Sequence, residues 1–250
     1  MNEFSRGYGI RPGALQSVIP PFTPAVKWLI GACSAVLAAQ YLLYFAAGGL
    51  GFEAGGELLQ TFGLVPHAVF ASFRLWQLVT YLFLHGGVGH LLFNMLALWM
   101  FGSALESEWG TRAFLRYYFL TGVGAALVTI AFTPSSMNPT IGASGAIFGL
   151  LLAYGVLHPN RPIFIYGIFP VKAKWFVIGI GAMTLLSSWA YTGDGVAHLA
   201  HLGGMFFGYA YLKRVWRIQE LVQEIRWRLR RRRFKVIRRK GNGDTRYPFH

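Results

Sequence analysis

Charge is what this sequence has least of. Of its 250 residues, 13% are Asp, Glu, Lys or Arg and 54% are hydrophobic, whereas a soluble domain is about one quarter charged. A water-soluble globular chain is not expected, and lipid becomes the solvent for most of the polypeptide. Cysteine is nearly absent. Cys33 stands alone in an apolar run, which excludes an internal disulfide framework and any metal site built from cysteines. Acidic residues are few as well, 9 against 23 basic ones, for a formal net charge of +14.

Glycine and aromatic residues are plentiful instead, with 31 Gly, 21 Phe, 12 Tyr and 8 Trp. Close-packed membrane helices with aromatic belts use these residue types. Apolar stretches fall at roughly 28–47, 87–105, 112–132, 144–158, 171–190 and 196–212, most of them near the ~20 residues that cross hydrocarbon as a helix. The expected architecture is all-α: a polytopic six-helix membrane domain over 28–212, an N-terminal arm over 1–27 and a basic tail over 213–250. The arm, with Pro12, Pro20, Pro21 and Pro24, does not resemble a cleaved signal peptide.

Loop charges set the orientation. Arg6, Arg11, Lys27, Arg112, Arg116, Arg161, Lys172, Lys174 and the 14 basic residues of the tail share one side, and Arg74 alone is on the other. The positive-inside rule then makes both termini cytoplasmic. The apolar segment Val65–Leu84 would reverse this if it crossed, sending 19 basic residues outside. It is expected instead within a long first outer loop, residues 48–85, lying in the interface. The expected setting is a bacterial inner membrane.

Polar residues inside spans are costly unless they pair or do chemistry. His90 and Asn94, Ser144, and His198 and His201 are the candidates. Ser144 lies in Gly142-Ala143-Ser144-Gly145 at the start of the fourth span, where free helix amides and the positive end of the dipole favour a developing oxyanion. The simpler reading of this segment is a small-residue packing face. Gly145 and Gly149 are four apart, as are Gly204 and Gly208 on the sixth span, so the two helices can approach closely. Ser144 lies 14 residues from the end of its span near His158, and His201 lies 12 from Lys213, about 21 and 18 Å along the helices. At that matched depth a serine and a histidine can act as nucleophile and general base. His90 and Asn94 share a helical face and can both donate to one oxyanion. For His90 the simpler reading is solvation at the interface.

The ordered set His90-Leu91-Leu92-Phe93-Asn94, Gly142-Ala143-Ser144-Gly145 and Ala200-His201-Leu202-Gly203-Gly204 resembles the rhomboid intramembrane serine proteases over roughly residues 28–212. The resemblance implies a Ser144–His201 dyad without an acidic third member. It implies an oxyanion pocket from His90, Asn94 and the Ser144 backbone N–H, and a support role for His85. Gly204 and Gly208 stand three and seven residues after His201, the family spacing for the catalytic histidine, which His198 does not satisfy. Phe148 stands where members pack an aromatic ring beneath that histidine. Gln77, after Trp76, departs from the Trp-Arg that bacterial members often carry.

The implied function is peptide-bond hydrolysis in or near a substrate's transmembrane helix, with no cofactor or metal. A catalytically silent binder or escort of membrane helices is the competing reading. A transporter is a more distant one, for want of ion-coordinating groups at mid-membrane. In the tail, residues 213–240 hold 13 Lys and Arg against Glu220 and Glu224. Val215, Ile218, Val222, Ile225 and Leu229 recur there at intervals of three and four. This reads as an amphipathic basic helix for anionic lipid or a solvated topology signal ahead of a disordered end, residues 241–250, with nucleic acid less favoured.

Overall fold

The computed structural model describes residues 20–46, 52–165, 168–190 and 195–233. The arm up to residue 19, Asp194, the end beyond Arg233 and most side chains of the tail's apolar stripe lie outside these residues. Contacts divide the chain into two units, Met1–Leu212 and Lys213–His250.

The order is α1 (Pro24–Ala46), α2 (Phe52–Phe62), α3 (Pro66–Ala71), α4 (Gln77–Thr80) with a 3₁₀ turn (Tyr81–Phe83), α5 (Val88–Ala97), a π-helical turn (Leu98–Gly102), α6 (Ser103–Trp109), α7 (Thr111–Phe132), α8 (Ser144–Leu157), β1 (Pro162–Ile165), β2 (Phe169–Lys172), α9 (Ala173–Ala190) and α10 (Gly195–Arg233). Among the described residues three helical runs are long and apolar enough to cross a membrane: Pro24–Ala46, Val88–Trp109 and Thr111–Phe132. Ser144–Leu157 and Ala173–Leu186 are shorter apolar helices. Among its described residues the first loop holds three short helices and a 3₁₀ turn, none long enough to span.

The connection between α8 and α9 differs from an all-α expectation. Residues 162–165 and 169–172 pair antiparallel, with Ile163 opposite Val171. Carbonyls of Pro159 and Arg161 accept from the amides of Lys174 and Ala173, so this connection also satisfies the start of α9, where helix amides lack internal partners.

Two polar anchors hold the bundle. Glu106, buried in the first turn of α6, accepts from Ala25 N at 2.9 Å, Val26 N at 3.1 Å and Thr111 Oγ1 at 2.6 Å. It thereby caps α1, whose Pro24 opens the helix without a donor. The second anchor gathers the end of α2. Its last carbonyls receive Arg74 Nη1 and Gln77 Nε2 on Gln60, Trp76 Nε1 on Thr61 and Thr80 Oγ1 on Phe62, at 2.6 to 3.0 Å. Gln77 is fully buried and its Oε1 accepts from Val65 N at 3.0 Å. An arginine has no acceptor and could not make that last bond.

The first loop is tied in turn to the segment before α8. Leu64 and Thr140 exchange backbone hydrogen bonds of 2.9 Å, and His67 N donates to Ser136 O at 3.1 Å. Gly142 N donates to Tyr81 O at 2.9 Å, while Tyr81 Oη donates to Gly122 O on α7 at 2.8 Å. The chain entering α8 is thus held by the first loop, whose Tyr81 is itself anchored to α7.

Candidate active site

Ser144 is the first residue of α8, so its own amide belongs to the unpaired first turn. The helix has 14 residues, about 21 Å, short of a ~30 Å hydrocarbon core. Close packing fixes its position. A Cβ on Gly149 would lie 2.6 Å from Thr121, and one on Gly145 would lie 2.7 Å from the Ala125 side chain. On the other side Gly204 of α10 meets Gly145, where a Cβ would fall on the carbonyl oxygen. That approach, available only to glycine, brings the two helices together at the level of Ser144.

His201 Nε2 lies 2.7 Å from Ser144 Oγ. The Phe148 ring stacks on the imidazole with centroids 4.1 Å apart and planes 2° apart. One turn along α8 from the serine, Phe148 therefore fixes the plane of the ring that meets the hydroxyl. Its lack of a phenolic hydroxyl does not alter the stacking. His198 is not part of this pair; its ring centroid lies 6.2 Å from that of His201 in an edge contact.

His90 and Asn94 both face Gly142. The His90 Cε1 and Nε2 atoms lie 2.8 Å, and Asn94 Nδ2 3.7 Å, from where a Gly142 Cβ would be. Gly142 adopts φ +113°, a backbone that side chains disfavour, so the space is open for a second reason. Gly86 N donates to His90 Nδ1 at 3.3 Å, leaving Nε2 as the protonated nitrogen of the neutral ring. Asn94 is buried and its Nδ2 has no partner among the described residues. Two donors thus converge beside the residue that precedes Ala143 and Ser144. His90 is exposed, in keeping with the interfacial reading, yet its ring edge serves the same space as Asn94.

His85 stands behind them, buried, its ring 5.1 Å from that of His90. Its Nδ1 donates to Phe83 O at 3.2 Å. Burial pushes its pKa down to about 4, the neighbouring His90 lowers it further, and the bond to Phe83 opposes both. Gly208 packs on the Tyr117 hydroxyl, which donates to Gly149 O at 2.9 Å. Among the described residues no three His, Cys, Asp or Glu side chains gather as a metal site. His158 pairs instead with Glu108 at 2.9 Å.

Sequence reasoning overlooked Gln40 on α1. Its amide exchanges two 3.3 Å hydrogen bonds with the His85 backbone, and the signal was a polar side chain within a span, the same one that drew attention to Asn94. Glu106 was overlooked too; its partners lie about 80 residues away in the chain.

Between apolar helices, then, a serine hydroxyl lies within hydrogen-bond distance of a histidine, with a histidine and an asparagine side chain alongside. Residues 72–218 match the rhomboid domain, and the chain belongs to the rhomboid family of multi-pass integral membrane proteins. It is 33% identical over 175 residues to Rhomboid protease GluP of Bacillus subtilis, covering 69% of this chain and 32% of that protein. With Rhomboid protein 1, mitochondrial, of Saccharomyces cerevisiae the identity is 32% over 157 residues, 58% of this chain and 42% of the relative. Rhomboid-like protease 3 of Toxoplasma gondii is 27% identical over 177 residues, 70% of this chain and 65% of that one. The chain therefore spans about a third to two thirds of the length of these relatives.

Proposed function

We propose that this chain is an intramembrane serine endopeptidase that cleaves transmembrane segments of membrane proteins through a Ser144–His201 dyad. The observation that carries the reading is the 2.7 Å contact between His201 Nε2 and Ser144 Oγ. Ser144 Oγ attacks the scissile carbonyl carbon as its proton passes to His201 Nε2. The oxyanion receives hydrogen bonds from His90 Nε2–H, Asn94 Nδ2–H and the Ser144 amide at the positive end of α8. Collapse breaks the C–N bond, and the proton on His201 moves to the departing amine. Water, deprotonated by the same imidazole, then hydrolyses the acyl-enzyme and restores Ser144.

With 22 basic residues on one side and Arg74 on the other, both termini belong in the cytoplasm and the site near the outer face. A bacterial inner membrane suits that arrangement. The basic block of residues 213–240 has the charge to hold anionic lipid; salt-sensitive binding of the full chain to anionic but not neutral vesicles, lost on truncation at residue 212, tests this.

Purified protein in detergent should be labelled at Ser144 by a fluorophosphonate and should cleave a panel of single-pass transmembrane substrates. Failure of both in a folded preparation would leave the competing reading, a rhomboid-fold binder or escort of membrane helices.

A further inference from the structure

A glutamine within an apolar span is costly unless it pairs, and both ends of the Gln40 amide do so at one residue. Nε2 donates to His85 O and Oε1 accepts from His85 N, each at 3.3 Å. The partners fix which way the amide points, because a backbone N–H only donates and a carbonyl only accepts. His85 O belongs to the same peptide group as Gly86 N, and that N–H donates to His90 Nδ1 at 3.3 Å. In a trans peptide the C=O and N–H point to opposite sides of the chain. Helix α1 thus grips one side of the His85–Gly86 peptide while His90 of α5 meets the other.

Little else holds this peptide. Turning it over rotates ψ of His85 and φ of Gly86, and glycine accepts either sign of φ. Packing leaves room as well: a Cβ on Gly86 would have its nearest neighbours, His90 Nδ1 and Ile141 Cδ1, at 3.7 Å. Turned over, the peptide would present His85 O to His90 Nδ1. A carbonyl there requires a proton on Nδ1, which in the neutral ring leaves Nε2 bare. The nitrogen that faces Gly142 would then accept a hydrogen bond and could not donate one to an oxyanion.

We propose that Gln40 is a positioning residue that sets the tautomer of His90. By holding the carbonyl of the His85–Gly86 peptide it keeps the Gly86 N–H on His90 Nδ1 and the ring proton on Nε2, beside Gly142. Gln40 acts only through His90 and touches no reacting atom. The kinetic consequence rests on the protease reading; the tautomer does not.

The test joins NMR and kinetics on the full chain in detergent. With isotope-labelled histidines, the His90 ring signals are identified by their loss in His90→Gln. At about pH 8, above the ordinary histidine pKa of about 6.5, the wild type should carry its His90 proton on Nε2. Gln40→Met keeps the length of the side chain without its amide, and Gln40→Leu repeats the test with a different shape. Both should move the His90 proton toward Nδ1 and lower kcat by about tenfold or more, up to the ~10² to 10³ of a lost oxyanion donor, with little change in KM. In a His90→Ala background Gln40→Met should have no further effect on kcat, since residues that act through one another are not additive. A wild-type His90 protonated on Nδ1, a tautomer unmoved by both substitutions, kcat retained in an active preparation, or an equal loss in the His90→Ala background overturns the proposal. A tautomer that shifts as expected in a protein whose wild type cleaves nothing leaves the role of Gln40 standing and counts against the protease reading instead.

Discussion

Gly145 and Gly204 meet without a side chain between them, the α carbon of Gly204 facing the Gly145 carbonyl oxygen so closely that a Cβ would overlap it. The serine is one residue before the first glycine and the histidine three before the second. Gly204→Ala should push α10 from α8 and lengthen the 2.7 Å contact between Ser144 and His201. Overpacking of this kind costs about 1–3 kcal/mol. Cleavage should fall far more than the melting temperature, and activity retained at the parental level would refute the role of this contact.

Ser144→Ala and His201→Ala should each abolish cleavage in protein that stays folded, and the double variant should match either single, because nucleophile and base act as a unit. His198→Ala should keep much of the activity, since three residues along a helix turn the side chain about 60° away from His201. Rates on one transmembrane substrate check both statements. An active His201→Ala beside an inactive His198→Ala would exchange their roles.

For the donors, Asn94→Ala should lower kcat by up to about 10² to 10³, as single oxyanion donors do, without matching the loss of Ser144. Gly142→Ala should be damaging by a different route. It places a Cβ 2.8 Å from the His90 ring at a φ of +113°, a backbone worth roughly 1–3 kcal/mol of strain. A wild-type rate in Asn94→Ala would reduce that residue to packing.

Gln77→Ala should strand Val65 N and leave the end of α2 with fewer donors, a loss of about 1–3 kcal/mol for a buried unpaired group. Gln77→Arg could restore the bonds to the α2 carbonyls but not the one to Val65 N, so its stability should fall short of wild type. Thermal unfolding in detergent ranks the three proteins, and an unaltered melting temperature in Gln77→Ala would discount the anchor.

His85 gives the stability a pH dependence with a definite sign. Its folded pKa of about 4 lies below the ordinary value of 6.5, so above pH 6.5 neither state binds a proton and the full stability is present. As pH falls from 6.5 toward 4 the unfolded chain takes up a proton that the folded one refuses, and stability declines by up to ~1.4 kcal/mol per pH unit. Unfolding measured across that window should depend less steeply on pH in His85→Gln than in the wild type. An equal slope in both proteins would reject the assignment.

Particular residues show how far the sequence could be read. Ser144, His201, His90 and Asn94 stood out because polar groups are rare in apolar spans, and the glycines four apart on α8 and α10 pointed to close helices. The same scarcity should have singled out Gln40. Glu106 was hidden because its hydrogen-bond partners Ala25 and Val26 are backbone amides, which carry no side-chain signature. The Gln77 anchor was likewise invisible, since its bonds go to carbonyls and an amide of the first loop. The strand pair at 162–172 escaped because its Val171 and Lys172 merge with the apolar run of α9 when only hydropathy is followed.

The π-helical turn at Leu98–Gly102 sits between His90 and Asn94 at one end of their span and Glu106 at the other. A π turn holds an extra residue, so it sets the angular phase between the two ends. Deleting one residue there would let the helix return to regular winding with its two ends still in phase, but regular winding at the present length would swing Glu106 by about 100° relative to His90. Either the donors would leave Gly142 or the carboxylate would leave the start of α1. Winding and length in this segment are therefore constrained together: one residue can be lost only with the π turn, and the π turn only with one residue.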